Sequence, residues 1–192
     1  MNPTIKLLAF AGSGRRESLN LRLLTAAVAS ARTQGAEVTV LNLKADTLPL
    51  YDGDLEALGM PPKVIELKRL FAAHDGFLIA SPEYNMFFSP LMKNTLDWLS
   101  RPAPAGVPDP FAGKTAALLA TSPGGFGGLR ALPFLRLLLS KLGVLVNPAD
   151  LAIGNGNMAF GAEQLNDPKQ QQALDKVVDD LIRLTTQLKT NR

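Results

Sequence analysis

Apolar stretches alternate with amphipathic ones along the chain, and this alternation restricts the possible folds more than any other feature of the sequence. The apolar stretches predict strands at residues 5–11, 38–41, 76–80 and 116–120, and a fifth strand region that starts at residue 144 and continues near Ala152. Between the strands, apolar residues recur at the spacing of a helix that packs on one face. Strands that alternate with helices build a parallel sheet with right-handed crossover connections.

The predicted fold is therefore of the α/β class, with a doubly wound parallel sheet between two layers of helices, three layers in all. Five strands favour the order 2-1-3-4-5. The 192 residues suit one α/β domain, and no repeat or linker divides them, so we predict a single domain over residues 1–192. In such sheets a ligand binds beyond the carboxyl ends of the strands, where the strand order reverses. The loops after strands one, three and four should meet there.

Local signals mark the ends of the predicted helices. Ser18 has the character of an N-cap, Gly35 and Gly143 stop the first and fourth helices, and Pro90 suits the first turn of the third. The irregular segment at 44–62 is longer than a plain connection, which predicts a surface loop or a loop that covers a site. The helices are predicted at about residues 19–34, 64–71, 90–99, 132–142 and 174–188.

The composition excludes several kinds of functional site. The chain has no cysteine, which excludes disulfide scaffolds, zinc–thiolate sites, iron–sulfur clusters and cysteine nucleophiles. The single histidine, His74, cannot form a His-rich metal cage and is interpreted as a cap or dipole partner at a helix end. We therefore predict no metal site. The net charge of +3, without a long basic run, does not favour nucleic acid as a partner but suits small anions.

The location of the protein is also predicted from its apolar pattern. No apolar run reaches the length of a membrane span, so we expect no membrane partner. Residues 1–10 lack the basic start, apolar stretch and cleavage site of a signal peptide. We therefore expect a cytoplasmic protein.

The first loop, residues 12–20, joins a buried strand to a helix N-terminus and has the composition of a phosphate-binding site. Free backbone N–H groups and the helix dipole favour an anion there. Arg15 adds a full charge, and short side chains add donors from Ser13, Ser18 and Asn20. The loop lacks the Gly-Lys-Ser/Thr of a Walker A motif, and Glu17 replaces the third glycine of a dinucleotide fingerprint. A terminal monophosphate therefore suits the loop best, with a polar capped turn as the alternative.

The second loop, residues 81–90, places aromatic, amide and apolar side chains at the mouth of the sheet. A flat heteroaromatic ring is bound by an apolar wall and a few polar contacts at its edge. Tyr84 and Asn85 can supply that wall and that edge contact. The apolar residues near this loop are expected in the core or in a subunit interface, and an interface of a homodimer is predicted at or near Met86, Phe87, Phe88, Trp98 and Leu99.

The third loop, residues 122–128, contains four glycines. Glycine permits a positive φ and lets the backbone approach a ligand closely. A flexible turn is the alternative interpretation of this stretch taken alone.

Taken together, these motifs resemble the NADPH-dependent FMN reductase family, and most of all its bacterial quinone and chromate reductase branch. The resemblance runs from the first strand to about Arg136. It rests on Gly12-Ser13-x-Arg15-x-x-Ser18-x-Asn20, on Ser81-Pro82-Glu83-Tyr84-Asn85, on Leu91-x-Lys93-Asn94-x-x-Asp97-Trp98 followed by Ser100-Arg101-Pro102, and on the paired glycines 124–125 and 127–128 with Arg130.

The resemblance implies a flavodoxin-like fold, bound FMN, NADPH or NADH as co-substrate, and a homodimer or homotetramer. By position, it implies phosphate contacts from Ser13, Arg15, Ser18 and Asn20. The ring and ribityl chain would lie against Pro82, Glu83, Tyr84 and Asn85, with Ser122, Gly124 and Gly125 close to the ring.

The implied function is an NAD(P)H oxidoreductase that passes electrons by hydride transfer through FMN to a small acceptor such as a quinone, free flavin, azo compound or chromate. Because the cofactor carries this chemistry, no side chain is assigned a catalytic role. The alternative is a flavodoxin-like electron carrier, or a regulatory flavoprotein, without an NAD(P)H site. Carriers are typically acidic, so the charge of +3 counts against a carrier.

Overall fold

The structure is a computed structural model that describes residues 4–162 and 164–190. The strands, in chain order, are β1 (Lys6–Ala11), β2 (Glu37–Leu41), β3 (Gly76–Ala80), β4 (Glu83–Tyr84), β5 (Phe87–Phe88), β6 (Thr115–Thr121), β7 (Leu145–Val146) and β8 (Leu151–Ile153). The helices are α1 (Leu19–Thr33), α2 (Gly53–Ala57), α3 (Pro62–Ala72), α4 (Pro90–Ser100), α5 (Leu132–Lys141) and α6 (Pro168–Thr190).

The main sheet is parallel, with β2, β1, β3 and β6 side by side in that order. The next position is shared by two short strands, since β7 pairs with the start of β6 and β8 with its end. The predicted fold class is confirmed. The order reverses between β1 and β3, so the crevice at the carboxyl ends of these strands is the expected ligand site.

Pro148 accounts for the division of the edge position into two strands. Proline has no N–H to donate to a sheet ladder. The Arg136 guanidinium compensates for the interrupted ladder by donating to the Asn147 carbonyl at 2.7 Å and to the Asp150 carboxylate at 3.1 Å. The sequence predicts one continuing strand region here, whereas the structure has two short strands.

The two faces of the sheet are packed differently. On one face, α1 and α6 lie against small residues such as Ala9, Ala80 and Ala117, which lets the helices approach closely. On the other face, α3, α4 and α5 cover larger side chains that include Phe10 and Phe77. The central strands β3 and β6 are buried along their whole length, as a sheet covered on both faces requires.

The helix ends follow the predicted signals. The Ser18 hydroxyl accepts a hydrogen bond from the Leu21 N–H at 3.2 Å and so caps α1, while Gly35 takes a φ of +87° just after it. Gly143 follows α5 with a φ of +86°. His74 lies at the end of α3, where its Nδ1 is 2.7 Å from the Leu70 carbonyl. The predicted helix-end role of His74 agrees with this contact.

Two local elements differ from the sequence expectation. The irregular segment at 44–62 contains α2, which begins at an Asp52 cap whose carboxylate accepts from the Asp54 N–H at 2.7 Å. The second loop contains the antiparallel hairpin β4–β5. Its turn residues, Asn85 and Met86, both have positive φ values, of +51° and +69°. This is the conformation of a type I′ turn, which normally has glycine at its second position.

The predicted interface residues separate into two groups. Phe88 is 3% exposed, and Trp98 and Leu99 are fully buried, so these three complete the core of the subunit. This agrees with the alternative of a core position that the sequence left open, and an interface near these residues stays a prediction. Met86 and Phe87 are exposed.

Across the residues that the structure describes, no helix is both long enough and apolar enough to cross a membrane.

Candidate functional site

A cleft of about 660 Å³ opens at the carboxyl edge of the sheet, between the loops that follow β1, β3 and β6. The residues around it come from four separate parts of the chain, and three of these are the loops that the topology predicts. Eight of the residues singled out from the sequence line this cleft: Ser13, Arg15, Ser18, Asn20, Pro82, Glu83, Tyr84 and Ser122. Asn85, Gly124 and Gly125 do not line it, since Asn85 lies at the hairpin turn and the two glycines are exposed beyond Ser122.

The first loop presents hydrogen-bond donors at the start of α1. The Ser18 cap uses its oxygen as an acceptor, which leaves its hydroxyl hydrogen to donate. Ser13 is buried beside it, and its oxygen accepts weakly from the Arg15 N–H at 3.5 Å. The first N–H groups of α1 and the positive end of the helix dipole point to the same place. This end of the cleft is therefore suited to an anion.

Among the three arginines that line the cleft, Arg15 and Arg22 differ in what they contact. Arg22 donates to the Phe160 carbonyl at 2.9 Å and lies over the Phe160 ring, so it holds the C-terminal segment against α1. Arg15 is exposed and has no ion-pair partner within residues 4–162 and 164–190. Of the two, Arg15 is the one whose guanidinium can pair with a bound phosphate.

Asn20 has a contact that the sequence did not predict. Its amide group donates to the Thr121 carbonyl at 2.9 Å and accepts from the Thr121 N–H at 3.1 Å. Asn20 is 4% exposed, and this paired contact ties the start of α1 to the end of β6. This contact fixes the distance between the first and third loops. It is a different role from the direct phosphate contact that the resemblance implies for Asn20.

The second loop is held by an ion pair. The Glu83 carboxylate, on β4, accepts from the Arg130 Nε at 2.8 Å and from the Arg130 backbone N–H at 3.1 Å. The Arg130 guanidinium also lies over the ring of Phe126. Glu83 therefore joins the second loop to the third, while Tyr84, next to it, is 53% exposed at the cleft mouth.

The glycines of the third loop serve two different purposes. A methyl group at Gly127, where φ is +62°, would lie 2.5 Å from the Ile153 carbonyl carbon, so this glycine allows the backbone of one loop to pack on that of another. No heavy atom lies within 4 Å of the same position at Gly125. Gly125 thus has room for a ligand beside it. The sequence predicts that the glycines let the backbone approach a ligand. At Gly127 the backbone instead approaches the backbone of Ile153.

The segment after β8 contributes to the cleft, and the sequence reasoning missed it. Asn157 is exposed in the cleft lining. Its segment is fixed by the Gly156 N–H, which donates to the Ser122 carbonyl at 2.9 Å, and by the Asn155 N–H, which donates to the Gly124 carbonyl at 3.1 Å. The repeated Gly-Asn pattern of residues 154–157, directly after a strand, was the available signal. Other lining residues not singled out include Arg22, Thr25, Thr121 and Pro123.

The remaining motif, on α4, lies outside the cleft and holds the segment after β2. Asn94 accepts from the Tyr51 N–H at 2.8 Å and donates to the Pro49 carbonyl at 2.9 Å, and the Trp98 indole N–H also donates to that carbonyl. Arg101 and the Tyr51 hydroxyl both donate to the Glu56 carboxylate. These two hydrogen bonds lower the pKa of Glu56, with the Arg101 contribution larger. The motif therefore positions a loop.

Within residues 4–162 and 164–190, no three His, Cys, Asp or Glu side chains stand together as a metal ion would require. The cleft lining instead combines cationic groups and small donors at one end with a half-exposed aromatic ring at the other. This donor set fits a phosphorylated, flat heteroaromatic ligand.

The doubly wound sheet and a phosphate-adapted cleft at its switch point define a flavodoxin-like, nucleotide-binding α/β protein. The family model of the NADPH-dependent FMN reductases matches the chain over residues 5–158, and the chain belongs to that family.

Individual relatives agree with this assignment. An NAD(P)H-dependent FMN reductase of Pseudomonas aeruginosa is 35% identical over 94% of this chain and 95% of its own length. An NADPH:quinone oxidoreductase of Arabidopsis thaliana is 34% identical over 95% of this chain and 87% of its own. The quinone reductase of Escherichia coli is 34% identical over 76% of this chain and 75% of its own.

A solved structure agrees as well. The flavoenzyme NAD(P)H:(acceptor) oxidoreductase of Paracoccus denitrificans superposes with a TM-score of 0.82 at 28% identity, over 96% of this chain and 98% of that one. The chain is therefore an FMN-dependent NAD(P)H oxidoreductase, and the alternative of a carrier or regulatory flavoprotein is not favoured.

Proposed function

We propose that FMN binds in the cleft with its phosphate on the first loop and its ring at the mouth. The observation that carries this proposal is the meeting of eight candidate residues from three loops in one cleft of about 660 Å³. Ser13, Ser18 and Arg15 hold the phosphate, together with the free N–H groups of α1. Pro82, Tyr84 and Ser122 would lie along the ring and ribityl chain. Gly124 and Gly125, which lie just outside the lining, would meet the part of the ring that extends beyond Ser122.

The residues of the chain then bind, orient and space the cofactor. Asn20 holds the phosphate end and the third loop at a fixed separation through Thr121. Glu83 and Arg130 hold the second loop against the third. Asn85 sets the hairpin turn that carries Tyr84. Bound FMN supplies the chemistry, which is to accept a hydride from NADPH or NADH and to deliver the electrons onward.

The acceptor is a small molecule, and we propose a quinone as its leading class. The relatives from Arabidopsis thaliana and Escherichia coli carry quinone in their names, which supports this choice. Tyr84, which lines the cleft and is 53% exposed, gives its mouth an aromatic border that suits a flat apolar ring. Free flavin, azo compounds and chromate are the other acceptors to compare.

The cofactor assignment is tested on purified protein. The bound flavin is released by heat and identified by chromatography, and FMN is expected because the first loop suits a monophosphate. Addition of NADPH under nitrogen should then bleach the yellow protein rapidly. FAD at full occupancy would contradict the FMN assignment, and a yellow protein that NADPH does not bleach would contradict the oxidoreductase mechanism.

We also propose a homodimer, or a dimer of dimers, joined through an apolar surface made of Met86, Phe87, Phe134 and Leu137. The Phe87 and Phe134 rings are 4.8 Å apart, and Leu137 beside them is 70% exposed. Exposed apolar groups in such a continuous arrangement usually mark an interaction surface. The hairpin brings this surface next to the cleft mouth.

Light scattering tests the assembly, with one variant on the surface and one away from it. The parent protein is expected to be a dimer or tetramer at micromolar concentration. Leu137→Glu should shift it towards the monomer, because a charge cannot be buried there without a partner. Leu58→Glu, at a leucine that is 88% exposed elsewhere, should leave the assembly unchanged. A monomeric parent would contradict the proposal.

The remaining proposals are a cytoplasmic location, a single domain over residues 1–192, and no nucleic-acid partner. A chain without cysteine needs no oxidising compartment, which supports the first. The modest charge of +3 supports the last.

A further inference from the structure

Lys44 lies after β2, outside every motif described above, and its side chain packs across the first loop. A methyl group added at Gly14 would stand 3.1 Å from Lys44 Cδ, 3.2 Å from Cγ and 3.3 Å from Cβ. The hydrocarbon stem of Lys44 therefore covers Gly14, between Ser13 and Arg15. Because Nζ is two bonds beyond Cδ, the ammonium stays within reach of the first loop.

The backbone at Lys44 is held in place from both sides. The Asn42 side-chain oxygen accepts from the Lys44 N–H at 3.1 Å and from the Ala45 N–H at 3.4 Å. Leu43 and Leu48, on either side, are buried in the core. Because the backbone is already fixed, only the side chain of Lys44 would lose conformational entropy when a ligand binds.

The net charge of the first loop is too small to balance a bound phosphate monoester, so a second cation would bind there favourably. A phosphate monoester carries about −1.5 to −2 charges at neutral pH. Arg15 and Arg16 both line the cleft, but Glu17 follows them and offsets one of the two positive charges. The Lys44 ammonium is exposed and has no ion-pair partner in the described ranges 4–162 and 164–190.

We propose that Lys44 is the second cation that binds the phosphate of FMN, with Arg15 as the first. The inference rests on the proposed binding of FMN in this cleft and adds a residue that no motif contains. NADPH carries a phosphate monoester of the same chemistry on its ribose, whereas NADH carries none, so the experiment must distinguish the two sources.

The test measures binding to flavin-free protein by quenching of flavin fluorescence, with FMN and riboflavin compared in parallel. Lys44→Met keeps the stem over Gly14 and removes the charge. Its affinity for FMN should fall by about 3- to 10-fold, as for a solvated ion pair of roughly 1 kcal/mol. Its affinity for riboflavin, which has no phosphate, should stay within about twofold of the parent. Lys44→Arg should restore FMN binding, because it retains the charge.

Lys6→Met is the matched control, since Lys6 is an exposed lysine at the opposite end of β1. It removes one positive charge from the protein and should leave both affinities unchanged. The loss in Lys44→Met should also shrink as ionic strength rises, because salt screens an exposed pair.

Three results would overturn the inference. The first is a Lys44→Met protein that binds FMN as tightly as the parent. The second is an equal loss for FMN and riboflavin, which would assign Lys44 a packing role. The third is unchanged FMN binding with a raised KM for NADPH but not for NADH, which would assign Lys44 to the dinucleotide. A parent protein that binds no FMN would instead contradict the proposed function itself.

Discussion

The two ends of the cleft are built on different principles. At the first loop, Arg15 is exposed and short donors line the cleft, so these groups can meet a ligand, while the Ser18 cap and the Gly12 N–H, which donates to the Ala80 carbonyl at 2.9 Å, help to hold the loop. At the second and third loops, polar groups bind one another: Glu83 contacts Arg130, and backbone packs on backbone at Gly127. One end is therefore adapted for binding and the other for positioning. Substitutions at the two ends should affect different measured quantities.

The largest expected effect tests the positioning end. Gly127→Ala should lower the free energy of unfolding by roughly 3–4 kcal/mol, because the new methyl group meets the Ile153 backbone and φ is positive. Thermal or denaturant unfolding of the flavin-free protein measures this loss. Gly125→Ala is the matched control: its methyl group meets nothing within 4 Å, so stability should change by less than about 0.5 kcal/mol. Equal losses in the two variants would remove the distinction between these glycines.

The second prediction tests the binding end. Arg15→Ala should weaken FMN binding by about 10- to 150-fold, since a hydrogen bond to a charged group contributes roughly 1.5–3 kcal/mol. The free energy of unfolding of the flavin-free protein should hardly change, because Arg15 is exposed. The variant should be purified pale and recover its colour and its rate of reduction by NADPH when FMN is added.

Arg16→Ala serves as the control for Arg15. Arg16 falls at an unspecified position of the family motif and should matter less. If Arg15→Ala keeps its flavin, or stays inactive when saturated with FMN, the phosphate role of Arg15 is wrong.

The third prediction concerns the contact between the second and third loops. Glu83→Gln keeps the shape of the side chain but removes the charge that Arg130 binds, and should cost about 1 kcal/mol of stability. FMN affinity should fall only a few-fold, because the loops still pack through their backbones. Asp97→Asn removes an exposed pair with Lys93 on α4 and should cost less than about 0.5 kcal/mol. A larger effect from Asp97→Asn would contradict a specific role for Glu83.

The smallest effect concerns the hairpin turn. Met86 has a φ of +69°, which costs a non-glycine residue roughly 1 kcal/mol. Met86→Gly should relieve this strain, but glycine also raises the conformational entropy of the unfolded chain. The net gain in the free energy of unfolding should be about 0.5 kcal/mol. Asn85→Gly should gain less, because asparagine tolerates this conformation. No gain from Met86→Gly would show that the turn is strained less than its dihedral angles indicate.

The binding end was largely predictable from the sequence, because its signals are local. Ser18 precedes an amphipathic helix by one residue, and Arg15 lies within the same short loop, so cap, dipole and charge can be inferred together. The switch-point rule then placed three loops at one edge of the sheet.

The positioning end was less predictable, because its contacts join residues far apart in the chain. Glu83 and Arg130 are 47 residues apart, and no local pattern pairs them. The hairpin was missed because its strands have two residues each and its turn is Asn-Met in place of Asn-Gly. The contact of Asn20 with Thr121 was not predictable, because a side chain that contacts a distant backbone has the same local sequence as one that contacts a phosphate.

The paired hydrogen bonds between Asn20 and Thr121 span 101 residues of chain, so they form only after β6 has docked beside β3. A folding intermediate without β6 would possess the first loop and still lack the cleft. Flavin should therefore bind only the completed fold, and it stabilises that fold by mass action. A cell short of riboflavin would then lose this protein through faster proteolysis as well as through lost activity, because the unliganded chain unfolds more often.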